Sequence, residues 1–414
     1  MRILFLNQFF WPDTAATGQL LSDVAEYLVG SGESVEVICG SANYGGANTA
    51  PAPAVDITRL QTAKFSASIH GRIRSYVTFL GGSLWQGLRR PAPDVVVTLT
   101  TPPFISLVGM AIQKIRGAKH VIWEMDVYPD IALDLGMLKP GLTTRILAWL
   151  ADLPRRHADR VIVLGECMRT RLLSHGLDGK RIFVSENWAD CDARLSPVEP
   201  PPAIRSAGLS IVYSGNFGRA HDVETVAGGM AALNGTGSGF QFIFGGGGSQ
   251  QSWIRSFCEE HALGSAQFLP YCERDELRAR LASGDIGLVT QHAASIGAVV
   301  PSKSYGIMAA GRPVLFIGPR QSTTALMIER YGCGWQVDCG DVDGLVSLLR
   351  RLNANKELVY AAGERAYKAF VDHYQRSVGA ARVAAALREG AVWETASLLT
   401  SANRGKRARI PQNG

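Results

Sequence analysis

The feature that most constrains this chain is an alternation, run through twice, of short apolar β-branched segments with longer segments of helical spacing. In the N-terminal half, 3–6, 35–39, 95–99, 120–123, 161–164 and 182–185 read as strands. Their continuous apolar runs fit strands covered on both faces. Residues 18–29, 103–116, 142–153 and 166–175 lie among them with helical spacing, and strand and helix in alternation predict a parallel sheet. The pattern stops at 196–208, where Pro197, Pro200, Pro201 and Pro202 give the composition of a stiff linker. It then restarts, with strands at 211–214, 240–244, 267–269, 286–290 and 314–317 and helices at 223–233, 250–261, 273–282 and 302–310. A length of 414 residues suits two domains. The fold class is therefore α/β, two doubly wound domains that meet at residue 200. Ligands of such sheets bind at the carboxyl ends of the strands, which predicts a substrate cleft between the two. Helical spacing continues from about 342 to 399, and a basic tail over 401–414 reads as disordered.

Composition narrows the classes. An apolar fraction of 46% excludes a disordered or low-complexity chain. The net charge of +6 is concentrated in two places. One is the tail, with Arg404, Lys406, Arg407 and Arg409; the other lies between Asp56 and Asp94, where Arg59, Lys64, Arg72, Arg74, Arg89 and Arg90 occur without an acid. Phe79, Leu80, Leu84 and Trp85 interleave the second group. No recognition-helix, zinc-finger or aromatic RNA-binding signature accompanies it, so nucleic acid is not expected as a partner. A helix over 66–90, apolar on one side and rich in arginine, would suit the anionic cytoplasmic leaflet of a membrane; as an ordinary surface helix it would cover the first sheet.

The seven cysteines are scattered and never spaced C-x-x-C, which reads as reduced structural thiols of a cytosolic protein. No metal is expected. The chain opens directly on a strand-like run without the regions of a signal peptide, and the longest apolar run, 104–112, is too short to span a bilayer.

Four segments carry candidate chemistry. After the first strand, small residues lead to Thr17 and Gly18 at a helix start, where free backbone amides could meet a phosphate or a sugar hydroxyl; a plain strand-to-helix loop is the other reading. Glu124, Asp126 and Asp130 follow a buried strand, with Asp126 or Glu124 a candidate base or charge stabiliser and Asp130 a candidate helix cap. Gly215, Asn216, Arg219 and His221 form a glycine turn with basic residues after the first strand of the second half, suited to a diphosphate. Gly245 opens a similar glycine run, which also reads as a flexible turn. Finally, Pro301, Gly311 and Pro313 delimit a short helix whose start offers the amides of Ser302 and Lys303 beside the Lys303 ammonium. That is a diphosphate site by physics, or a capped helix with a solvated lysine. His157 and His175 show no ligand spacing and read as packing or surface residues.

Taken together, FFWPDTAATGQLLSDVAEYL (9–28), WEMDVYPD (123–130), 158–190, YSGNFGRAHDVET (213–225), DIGLVT (285–290) and PSKSYGIMAAGRPV (301–314) resemble the retaining glycosyltransferases of family four. Within it they resemble the bacterial exopolysaccharide and O-antigen branch that includes L-fucosamine and colanic-acid fucosyl transferases. The resemblance implies a GT-B fold of two Rossmann-like domains facing a cleft. The first domain (1–200) would bind the acceptor, the second (201–375) a nucleotide sugar, and a helix over 376–400 would return to the first. It implies hexosyl transfer with retention, from a nucleoside diphosphate sugar to a lipid-linked saccharide, carried on undecaprenyl diphosphate, in surface polysaccharide biosynthesis. The enzyme would be cytoplasmic and peripheral on the inner membrane, with no cofactor or essential metal. Carried over, Asp126, Arg219 and Lys303 become the catalytic candidates, with Thr17, Gly18, Gly215, Asn216, His221, Gly245 and Ser302 around the donor. Two glutamates of the family pattern align with Ala298 and Gly306. Their absence leaves two alternatives open, a non-catalytic nucleotide-sugar-binding subunit and an epimerase or hydrolase of the same fold.

Overall fold

In a computed structural model of the protein, residues 1–13, 15–41, 52–63, 69–189, 208–235, 239–272 and 276–388 are described. The tail at 401–414 and the domain boundary at residue 200 lie outside them. The first sheet has seven parallel strands: β1 (Arg2–Leu6), β2 (Ser34–Cys39), β3 (Asp56–Arg59), β4 (Val95–Thr98), β5 (Lys119–Glu124), β6 (Arg160–Val163) and β7 (Ile182–Val184). Their spatial order is β3-β2-β1-β4-β5-β6-β7, so the order reverses between β1 and β4.

Alternate residues of each strand bury on opposite faces. Leu4, Leu6, Ile38 and Val96 pack under Phe79 of α2 (Ile69–Arg89) and Ile105, Val108 and Ile112 of α3 (Ile105–Arg116). Ile3 and Phe5 face the other way, onto Leu21, Val24 and Leu28 of α1 (Ala16–Gly30). Three more helices complete this domain: α4 (Asp130–Asp134), α5 (Leu142–His157) and α6 (Glu166–Ser174).

The second sheet has six parallel strands: β8 (Ser210–Asn216), β9 (Gln241–Gly247), β10 (Ala266–Leu269), β11 (Ile286–Thr290), β12 (Val314–Ile317) and β13 (Gly334–Val337). Its order, β10-β9-β8-β11-β12-β13, reverses between β8 and β11 and is that of a Rossmann sheet. Around it run α7 (Glu224–Leu233), α8 (Gln251–Glu260), α9 (Leu277–Ala282), α10 (Lys303–Ala309), α11 (Thr323–Tyr331), α12 (Val342–Ala354) and α13 (Lys356–His373). One face packs Tyr213, Phe217 and Phe244 against Val226, Ile254 and Leu349. The opposite face packs Val212 and Val289 against Tyr305, Met308 and Phe370.

A last helix, α14 (Arg376–Leu387), leaves the second domain and lies on the first, where Val383, Ala384 and Leu387 join the core around α1. Arg376 bonds Asp23 at 2.9 Å and also meets Glu26, and Arg388 reaches Glu33 at 3.3 Å. A Cβ on Gly379 would stand 2.2 Å from Trp188, so this helix can lie close only because glycine occupies the position. No helix among the described residues is long and apolar enough to cross a membrane.

Candidate active site

The carboxyl ends of the two sheets border a cavity of about 240 Å³ lined from both domains. From the second domain come Ser214 at the end of β8, Arg278 on α9, and Ser302, Lys303 and Gly306 around α10. Gly215 has φ +137°, and a Cβ there would stand 2.6 Å from Cε of Lys303. Both the backbone and the close approach demand glycine, and the reward is a lysine laid across the strand end.

His221 fixes the head of that lysine. Its Nδ1 lies 2.8 Å from the Thr290 carbonyl, which can only accept, so Nδ1 carries the proton. Nε2 therefore presents a lone pair, and the Lys303 ammonium donates to it at 3.3 Å. Burial, followed by the Lys303 charge, pushes the His221 pKa down to about 3, so the ring stays neutral. Burial also lowers Lys303 to about 8, and the Tyr213 ring lies 5.2 Å from its nitrogen. The cation thus has a neutral imidazole and an aromatic face as its neighbours in place of a carboxylate. Because α10 has only seven residues, its dipole is small, and the side-chain charge dominates the electrostatics of this wall.

The first-domain wall is built by Ala16, Gln19, Leu20 and Asp23 of α1 with Trp188. Thr17 and Gly18, expected to face a ligand, do not line the cavity. Gly18 is buried against the preceding loop, where a Cβ would stand 3.1 Å from the Phe9 carbonyl oxygen, so its role is close packing of helix on loop. Asp23 is occupied by the Trp188 indole at 2.8 Å and by Arg376. Among the expected diphosphate residues, Asn216 and Arg219 are exposed beyond the lining, and Gly245 is buried against Arg280. Ser302 and Lys303 are the two that line the cavity. Ala298 is fully buried and Gly306 faces the cavity, where a Cβ would meet only Leu281 at 3.4 Å.

Asp126 sits elsewhere, past the end of β5, in a small cavity of about 20 Å³ with Thr100, Ser106, Glu124 and Tyr128. That is room for about one water. Burial, with the Glu124 charge adding to it, raises its pKa to about 6.

The other two acids of this segment have different roles from those expected. Glu124 is taken by Arg155, with contacts of 2.6 and 3.2 Å, both side chains being buried, so it is no free base. Asp130 does not cap α4; it accepts from Arg171 at 3.0 Å and His175 at 3.1 Å. His175, read as a packing or surface residue, instead bridges Asp130 and Asp152, the latter also at 3.1 Å, and those two carboxylates raise its pKa to about 9. Arg155 bonds Asp152 in turn at 3.0 Å. A continuous chain of charge thus runs Glu124, Arg155, Asp152, His175, Asp130, Arg171. Its end crosses the cleft, because Arg171 donates to the Ile296 carbonyl of the second domain at 2.6 and 3.2 Å. The Val127 amide makes a parallel crossing to the Ala298 carbonyl at 2.8 Å.

Residues 17–188 match the family described as glycosyl transferase 4-like domain. A Pseudomonas aeruginosa protein named as a glycosyltransferase, WbjE, is 26% identical over 62% of this chain and 65% of its own length. The Escherichia coli (strain K12) protein WcaI, named for colanic acid biosynthesis glycosyl transfer, is 23% identical over 85% of this chain and 92% of its own. Among solved structures, sucrose-phosphate synthase from Thermosynechococcus elongatus superposes with a TM-score of 0.73 over 93% of this chain and 98% of its own, at 14% identity. Anabaena HepE in complex with UDP and glucose gives 0.69 over 93% and 98%, also at 14%. These likenesses show the fold alone: two parallel-sheet α/β domains of the GT-B type.

Proposed function

We propose that this protein is a retaining glycosyltransferase. It moves a hexosyl group from a nucleoside diphosphate sugar to a saccharide carried on undecaprenyl diphosphate, in bacterial surface polysaccharide biosynthesis, and works peripherally on the cytoplasmic face of the inner membrane. The names of the relatives and the UDP and glucose bound by HepE support the reaction class. The observation that carries the reading is the Lys303 ammonium, held by neutral His221 at the glycine end of β8 in a cavity walled by both domains.

In this reading the bond between the anomeric carbon and the diphosphate oxygen breaks with its electron pair going to the diphosphate. Lys303 and the Ser302 hydroxyl stabilise that leaving charge, with no metal taking part. The acceptor hydroxyl attacks the same face of the sugar, its oxygen forming the new bond to the anomeric carbon as its proton passes to the departing diphosphate oxygen. Asp126, ionised above a pH of about 6, lies in the separate cavity past β5 and would stabilise positive charge on the ring only of a donor whose sugar reaches that end of the cleft. Arg219, exposed on the loop after β8, would reach the diphosphate only by loop closure.

Purified protein incubated with a panel of nucleoside diphosphate sugars, with and without lipid-linked acceptor, tests this. Acceptor-dependent release of nucleoside diphosphate, with the product anomer matching the donor by NMR, is the expected result. Acceptor-independent turnover would indicate a hydrolase or epimerase, and binding without turnover a non-catalytic subunit.

A further inference from the structure

Three helices of the first domain, α2, α3 and α5, form one layer. Their C-terminal ends are tied together: Arg116 of α3 donates to the Arg90 carbonyl just past α2 at 2.8 Å, and Gln113 of α3 to the His157 carbonyl of α5 at 3.3 Å. The inner side of the layer packs on the sheet through Phe79, Ile105 and Ile112. Its outer side is unusual. Eight of the fourteen large apolar side chains exposed among the described residues fall between Ile73 and Trp149.

The stripe on α5 is the most exposed. Leu142, Ile146 and Trp149 follow helical spacing and are 74%, 49% and 57% exposed. On α2, Ile73, Val77 and Trp85 are exposed, and the Arg89 guanidinium stacks 4.0 Å over the Trp85 ring. The exposed charge carried by the three helices themselves has one sign, with Asp159, which Gln113 of α3 meets at 2.9 Å, at the edge of the layer. Neither α2 nor α3 contains an acid, and the only acid of α5, Asp152, is buried between Arg155 and His175. Exposed cations are present on all three helices: Arg72, Arg74 and Arg89, then Lys114, then Arg145.

Apolar side chains with tryptophans, ringed by cations and free of exposed acids on the helices themselves, match an anionic bilayer: the apolar groups and indoles enter the headgroup boundary while the cations meet lipid phosphates. We propose that this face docks on an anionic lipid surface and that the α5 stripe, which ends on Trp149, is its anchor. The proposal rests on the reading of a membrane-borne acceptor and extends it from the arginine-rich helix α2 across α3 to α5. It would bring the first-domain side of the cleft to the plane in which such an acceptor resides.

The test uses the full chain and vesicles of phosphatidylglycerol with phosphatidylethanolamine, against vesicles of phosphatidylcholine, and needs no substrate. The wild type is expected to sediment with the anionic vesicles and to leave them as salt rises. L142S/I146S/W149S is expected to lose at least about tenfold in partitioning. W149F should keep most of the binding while losing much of the blue shift in tryptophan emission that vesicles cause in the wild type. Wild type that ignores both vesicle types, or a triple variant that partitions like wild type, would overturn the proposal. So would wild type that self-associates without lipid while the triple variant is monomeric, since a second copy would then cover the face. The triple variant should turn over donor with a water-soluble acceptor as wild type does, so loss of docking stays distinct from failure of the glycosyl transfer reading.

Discussion

The Arg171 guanidinium, on the first domain, donates two hydrogen bonds to the carbonyl oxygen of Ile296 on the second, at 2.6 and 3.2 Å, while ion-paired to Asp130 and Asp134. Ile296 belongs to the loop that leads into Pro301 and Lys303. One side chain therefore ties the acidic segment after β5 to the loop that carries the cleft lysine. R171M is expected to leave the carbonyl unpaired and Asp134 without the Arg171 cation, lowering turnover about tenfold or more by misplacing the loop. R171K should recover part of it. Steady-state kinetics checks this, with the loss expected in kcat more than in KM for the donor.

Activity should be bell-shaped in pH. Asp126, raised to about 6 by burial, must lose its proton to act, so activity rises as pH climbs through that value. Lys303, lowered to about 8, must keep its proton, so activity falls as pH passes it. D126N should flatten the acid limb, and K303R should carry the alkaline limb upward because guanidinium does not titrate there. Rate against pH for the three proteins is the measurement.

Stability has a separate pH signature. The folded pKa of His175, about 9, exceeds its usual 6.5, so its contribution is fully present below 6.5 and is lost as pH rises through 9. A rise of that size corresponds to on the order of 3 kcal/mol. Its partners Asp130 and Asp152 are held below the usual carboxylate range despite burial, by hydrogen bonds from His175 and then the neighbouring arginines, and their contribution fades as pH falls below about 4. In urea unfolding, H175Q should be clearly less stable than wild type at pH 6, and the gap should close toward pH 10.

Gly215 is predicted to tolerate no side chain. G215A meets both a positive φ and the Lys303 stem at 2.6 Å, so it should displace the ammonium from His221 and cut donor turnover by about tenfold or more, while the fold stays intact. Circular dichroism alongside the activity assay separates the two effects.

Much of the fold was legible in the chain because parallel strands covered on both faces leave unbroken apolar runs, as at Val95–Thr98 and Val314–Ile317. β3 was missed because its sequence, DITR, is polar at both ends and lies at the sheet edge, where one side needs no apolar cover. At the site, local signals found Lys303 and Gly215, since a strand end and a helix start are contiguous in sequence. The bridge from Asp130 through His175 to Asp152 left no such trace, because its members come from α4, from the residue just past α6 and from α5. What sequence did offer was an accumulation of charge between Glu124 and His175, within a segment otherwise rich in buried residues. Gly18 misled for the opposite reason: a glycine at a helix start resembles a phosphate loop, but here it permits close packing.

On the proposed function, Lys303 holds a nucleoside diphosphate in the cavity between the two domains. Calorimetric titration of UDP and GDP into wild type and K303M tests it most directly. At least one diphosphate is expected to bind wild type, and K303M is expected to bind it about 10- to 100-fold more weakly, the value of one charge-assisted contact. Equal affinity in the two proteins, or no binding of either diphosphate to wild type, would contradict it.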